Sequence, residues 1–200
     1  IIYFLVFLLV CIESNAQTLN WSAIQAISSG SQSGYDRPRV VTTANNSPLI
    51  IWTKTSSPKS VKASKWNGTS FSAPYDIVPP SLEVTGFIGP EIASKGDTVY
   101  VIFLSALSPN YFVYLISSFD GGLTFSDTVR VSDNSNTYKF SMPNVTVNTD
   151  GNPIVSYMTC TNSWTDWEQM VKVSSDFGNT FSSAFNVSAL APGEPCDCCK

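Results

Sequence analysis

The chain has 200 residues, 43% of them hydrophobic and 12% aromatic, with 13% charged side chains and a formal net charge of −4. Mild acidity without a basic run argues against a nucleic-acid partner. Histidine is absent, which excludes serine–histidine and cysteine–histidine catalysis and imidazole metal ligands within these residues.

The chain opens on an apolar run, Ile1 to Val10, too short to cross a bilayer. Ser14 and Ala16 are the small residues a signal peptidase reads, so residues 1–16 are expected to be a signal peptide cleaved before Gln17. It lacks an initiator Met and a basic first region, so it reads as truncated at its start. Cys11 invites comparison with a lipoprotein signal, but Val10 before it fits poorly. The mature chain is expected to be secreted, periplasmic or on the cell surface, with no membrane segment after cleavage. Residues 17–36 form a lead-in segment with Trp21 and a Ser/Gly-rich loop, Ser28 to Gly34.

Three copies of one unit follow. Each begins with a proline and a short apolar strand: Pro38 to Val41, Pro90 to Ala93 and Pro143 to Thr146. A polar turn comes next, then a second strand that ends near an aromatic: Leu49 to Trp52, Val99 to Phe103, and Ile154 to Tyr157. A variable loop, a third strand, a tight turn and a fourth strand complete the unit; the fourth strands are placed at Tyr75–Val78, Thr128–Val131 and Phe185–Val187. Helix-period segments are absent, so the class is all-β. Four antiparallel strands per unit of this length make a β-propeller blade, and one blade cannot bury both of its faces alone. The blades are placed at 37–85, 86–138 and 139–200.

The turn between the third and fourth strands is the most regular feature. Ser118-Phe119-Asp120-Gly121-Gly122-Leu123-Thr124-Phe125 recurs as Ser174-Ser175-Asp176-Phe177-Gly178-Asn179-Thr180-Phe181, with a worn copy at Ser64-Lys65-Trp66-Asn67-Gly68-Thr69-Ser70-Phe71. Glycine supplies the positive φ of such a turn, and the carboxylate can accept hydrogen bonds from its amides. Ser118, Asp120, Gly122, Phe125, Ser174, Asp176, Gly178 and Phe181 are therefore read as structural, with the aromatic pinning the turn to its blade. A carboxylate committed to its own turn is not free for proton transfer.

These turns resemble the Asp-box, or BNR repeat, of the sialidase-like β-propellers. The resemblance covers residues 37–190 as fold. It implies a six-bladed propeller of which about three blades are present, the rest being missing from this chain, and a pocket for extracellular glycans or glycoproteins around the axis. That pocket would lie on the face opposite the Asp-boxes, built from the loops between second and third strands and from the blade connections. Trp164, Asp166, Trp167 and Glu168 lie in one such loop, and Tyr138 and Lys139 in a blade connection of the same face; the aromatics read either as a sugar platform or as a packing lid. Arg39, Glu91 and Asn144 follow the three opening prolines in register and read either as pocket ligands or as ordinary channel lining. Enzymes of the family carry Arg-Ile-Pro in the first blade; here Arg37 stands one position closer to its proline. Asp36 and Glu91 are the candidates for an acid/base group, and the remaining arginines and the tyrosine nucleophile of the family would fall beyond Lys200. Glycoside hydrolysis of the sialidase type, glycan binding, and a non-catalytic adhesion or assembly scaffold are all open on the sequence.

Four cysteines remain after signal cleavage: Cys160, Cys196, Cys198 and Cys199. Strand parity puts Cys160, at the start of a second-face loop, and the other three on the same face. A disulfide from Cys160 to one of them is the default for an exported chain; a thiolate site for zinc or copper(I) is the alternative. No other cofactor is expected.

Overall fold

The computed structural model describes residues 23–27, 35–54, 56–85, 88–105, 111–135 and 137–190. The expected signal peptide and the cysteines at 196, 198 and 199 lie outside these residues. Twelve strands form three four-stranded antiparallel sheets, and there is no α-helix among the described residues. The first sheet comprises β1 (Tyr35–Thr43), β2 (Ser47–Lys54), β3 (Ser60–Lys65) and β4 (Tyr75–Asp76). The second comprises β5 (Glu91–Lys95), β6 (Thr98–Leu104), β7 (Val113–Ser118) and β8 (Val129–Arg130). The third comprises β9 (Tyr138–Val147), β10 (Pro153–Thr161), β11 (Glu168–Val173) and β12 (Phe185–Asn186). Each sheet pairs its strands in chain order, and the first strands β1, β5 and β9 pack side by side. This is three blades of a β-propeller.

Strand β6 shows why the middle blade holds the assembly together. Val99, Val101 and Phe103 enter the core shared with the first blade, while Tyr100, Ile102 and Leu104 enter the core shared with the third. A strand with both faces buried reads as an unbroken apolar run, as Thr98–Leu104 does. The outermost strands β4, β8 and β12 are only two residues long, shorter than their expected spans.

The prolines do not open the strands as expected. Pro38 and Pro143 lie inside β1 and β9, and Pro90 lies just before β5. In all three blades the residue before the proline has a positive φ: 52° at Arg37, 70° at Gly89 and 45° at Met142. The ladder shifts register at this point in β1 and β9. The repeated proline thus marks a bulge that bends the innermost strand. Because β9 begins at Tyr138 and β10 continues through Thr161, Tyr138, Lys139 and Cys160 are strand residues and not loop residues, and Glu168 starts β11.

The turns after β7 and β11 are closed by their aspartates. Asp120 accepts hydrogen bonds from the amides of Leu123 (2.9 Å) and Thr124 (3.0 Å), the Thr124 hydroxyl (2.6 Å) and the Ser118 hydroxyl (2.7 Å). Asp176 receives the Thr180 amide (2.9 Å), the Thr180 hydroxyl (2.6 Å) and the Ser174 hydroxyl (2.8 Å). The worn copy is also a hairpin turn, but a tighter one. Trp66 bridges to Phe71, and Asn67 supplies the acceptor, taking the amides of Thr69 (3.0 Å) and Ser70 (2.9 Å). The closing aromatics differ from expectation as well. Phe125 packs on the core shared by blades one and two, and Phe181 on that shared by blades two and three, so each pins its turn to the neighbouring blade. Phe71 has no preceding sheet among the described residues and instead meets Trp66 edge-on at 5.2 Å.

Candidate functional site

Strand direction sorts the loops between two ends. The aspartate turns and the β1–β2, β5–β6 and β9–β10 turns occupy one end; the β2–β3, β6–β7 and β10–β11 loops occupy the other. At this second end the structure gathers an aromatic cluster. Trp164, in the β10–β11 loop, is 43% exposed. Its ring lies 6.0 Å from that of Trp167 and 6.4 Å from that of Tyr111, two residues before β7 in the neighbouring blade. The Lys139 ammonium, from the first residues of β9, sits 4.2 Å from the centre of the Trp164 ring. Trp167 is buried beneath, and its indole N–H has no acceptor among the described residues. Three residues of the cluster or its loop have positive φ without being glycine: Tyr111 (52°), Trp164 (61°) and Asp166 (55°). Such conformations cost about 1–3 kcal/mol each and concentrate where ligands are held.

Trp164 and Trp167 are thus brought together, and with them come Lys139, which the sequence put on the same face, and Tyr111, to which it did not point. Tyr111 belongs to another blade, and no spacing or motif links it to Trp164. Lys139 was placed in a loop, and its strand position is what aims it at the ring.

The residues after the prolines behave differently. Arg39 and Glu91 form a two-pronged ion pair between β1 and β5: Nε donates to Oε2 at 2.6 Å, and Nη2 donates to Oε1. The hydrogen bond to Glu91 raises the Arg39 pKa against the opposing effect of burial. Asn144 is exposed on β9, and no hydrogen bond joins it to the pair. Arg37 is exposed at the bulge, with its side-chain carbons against Gly89. Asp36 pairs with Thr53 in the β1–β2 ladder.

Cys160 is buried in β10 opposite Lys139, at the second end. Burial pushes its thiol pKa up, and the nearby Lys139 charge pulls the other way. Lys172, on β11, reaches Asp133 in the connection between β8 and β9 at 2.6 Å. A cleft of about 530 Å³ lies at the opposite, turn end, between Trp66, Tyr75, Ala73 and Leu123. It is mostly apolar, and its Tyr75 hydroxyl and Lys65 ammonium are spent on the carbonyls of Gly122 and Gly121. Among the described residues no helix is long and apolar enough to cross a membrane.

No protein-family model matches the chain, and no curated protein does. Solved structures do. A Hadza microbial sialidase, Hz136, aligns with a TM-score of 0.58 at 14% identity, over 74% of this chain and 36% of that one. The α-L-arabinanase of Penicillium chrysogenum, solved with arabinobiose, aligns with a TM-score of 0.53 at 12% identity, over 76% and 49%. An ulvan lyase of polysaccharide lyase family PL25, solved with -[GlcA(1-4)Rha3S]-, aligns with a TM-score of 0.51 at 9% identity, over 72% and 42%. The chain therefore spans less than half the length of each. At such identities the likeness is one of fold: this chain carries three blades of the β-propeller that the sialidase-like proteins also use.

Proposed function

We propose that this chain is part of an exported, sialidase-like Asp-box propeller that binds extracellular glycans or glycoproteins at the end opposite its aspartate turns. The observation that carries this reading is the Trp164 cluster: an exposed indole, braced by Tyr111 and Trp167 and held on a loop with strained backbone. Flat aromatic surfaces of this kind suit the apolar faces of sugar rings, and adjacent polar groups select among hydroxyls. The fold relatives, two glycosidases and a polysaccharide lyase, support the same substrate class.

The catalytic form of this function is exo-sialidase-type hydrolysis through an oxocarbenium-like transition state. It calls for an arginine open to a sugar carboxylate. Arg37, the first-blade candidate, is exposed, but Arg39 and Glu91 are closed on each other, and this loss of two candidate pocket groups favours the second reading, a non-catalytic adhesion or assembly scaffold. Assaying the full-length protein with a fluorogenic sialoside, alongside retention on immobilised glycans, separates the two. Turnover above a buffer blank establishes the hydrolase; retention without turnover establishes the binding module; the absence of both turnover and retention overturns the glycan reading.

For the cysteines we propose a disulfide between Cys160 and one of Cys196, Cys198 and Cys199. A disulfide is the default for cysteines of an exported chain. Counting free thiols on unreduced, metal-stripped protein should give two; four would favour the metal site.

A further inference from the structure

We propose that the Trp164 platform is a subsite for a sugar that carries a negative group, a carboxylate or a sulfate, and that Lys139 sets this preference. The proposal rests on the glycan-binding reading and adds the chemical class of the ligand. Lys139 stands opposite Cys160 in the β9–β10 ladder, and its ammonium lies 4.2 Å from the Trp164 ring centre. The lysines at 62 and 172 are neutralised by Asp76 and Asp133. Lys139 has no carboxylate partner among the described residues. The two carboxylates next to Trp164 in sequence form no ion pair with Lys139: Asp166 Oδ2 accepts from the Thr165 hydroxyl at 2.9 Å, and Glu168 Oε1 accepts from the Asn186 amide at 2.8 Å.

The contact that the ammonium does make, with the ring quadrupole, is a weak attraction at an exposed site. A carboxylate or sulfate gives a stronger, charge-assisted hydrogen bond. A neutral sugar stacking on Trp164 has to share the ring with Lys139 and gains no such bond. An anionic sugar draws the ammonium to its own charged group and frees the ring face for stacking. The subsite lies at the border of blades two and three, between Tyr111 and Trp164, and does not involve the Arg39–Glu91 pair.

The test is calorimetric titration of the full-length protein with three oligosaccharide sets of equal length: oligogalacturonates, sulfated dextran oligosaccharides and neutral dextran oligosaccharides. Wild type should bind at least one anionic set about tenfold more tightly than the neutral set, and added salt should erase the difference. Which anionic set binds identifies the group. Lys139→Gln should reduce anionic affinity to the neutral level, Lys139→Arg should keep most of it, and Trp164→Ala should weaken all three sets. Thermal midpoints of the variants confirm that each is folded. Equal affinity of wild type for neutral and anionic sets, or full anionic affinity in Lys139→Gln, overturns this proposal and leaves glycan binding in place. Failure of wild type to bind any set overturns both.

Discussion

Asp120 and Asn67 solve the same local problem in different ways. A hairpin turn leaves amides facing inward, and a side-chain oxygen satisfies them. Asp120 does so with a charge. Burial would raise its pKa, but the Thr124 hydroxyl and amide, the Ser118 hydroxyl and the Leu123 amide outweigh this and bring it down to about 2. A depressed carboxylate pKa adds stability above the unfolded value near 3.9 that is lost as pH falls through the folded one. Stability should therefore drop between about pH 4 and pH 2, and Asp120→Asn should flatten that part of a urea-midpoint-versus-pH curve. Asp120→Ala should cost about 1.5–3 kcal/mol at neutral pH, the usual range for hydrogen bonds to a charged group. An unchanged urea midpoint would mean that the turn holds without its carboxylate. Gly122 acts differently: its φ is +90°, and a Cβ there would run into the Leu49 side chain of the first blade. Gly178 repeats this against Leu115, 2.9 Å from the position of an added Cβ. Gly122→Ala should lose about 1–3 kcal/mol through backbone strain and the displaced leucine, visible as a lower thermal midpoint.

Among elements, the blade contacts are both apolar and polar. The cores between blades carry the bulk of the burial, and Phe125 and Phe181 reach into them from their turns. Phe181→Ala should cost about 2–4 kcal/mol, somewhat less than a fully buried phenylalanine because the side chain is only part-buried. Polar stitches run from each blade to turn carbonyls of the next: the Tyr75 hydroxyl to Gly122 at 2.5 Å, and the Tyr100 hydroxyl to Gly151 at 2.8 Å. Burial raises both tyrosine pKa values to about 12, with the Asp120 charge contributing at Tyr75, so both hydroxyls remain donors throughout the neutral range. Lys172 is a stitch of another kind. Its side chain is 7% exposed, while that of Asp133 is 64% exposed. Asp133→Ala leaves a buried ammonium unpaired and should destabilise by about 1–3 kcal/mol, whereas Lys172→Met should be close to neutral because it removes the buried charge together with its need for a partner. Equal losses in the two variants, measured by chemical denaturation, would contradict this account.

Across the whole molecule, protection should grade from the centre outward. β6 is buried on both faces, and β4, β8 and β12 are two-residue edge strands. In hydrogen exchange of the full-length protein, amides of 98–104 should be among the slowest and those of 75–76, 129–130 and 185–186 among the fastest. Uniform exchange across the three blades would show that they do not share a core. The third sheet also leaves Val173, Phe185 and Val187 at 42%, 56% and 37% exposure. Val173 and Phe185 belong to its outer strands and Val187 follows β12, away from the core shared with blade two.

The repeat was legible because strand patterning and turn chemistry are local. Alternation marks a strand, Gly at positive φ with an Asp acceptor marks the turn, and recurrence at near-constant spacing marks the blade, all without knowledge of distant contacts. Position within a strand was not legible to the residue. A proline reads as a strand opening, and only the preceding positive-φ residue, at Arg37 or Met142, turns it into a mid-strand bulge. That shift moved Lys139 and Cys160 from loop to strand. Partnership between blades was beyond the sequence altogether. Arg39 with Glu91, Trp164 with Tyr111 and Lys172 with Asp133 are separated by 52, 53 and 39 residues; the first pair shares a register after its prolines that does not say the two would meet, and the other two carry no shared pattern. Local backbone preferences determine the strands and turns, whereas packing one sheet against the next decides which side chains meet, and the candidate site is made of such meetings.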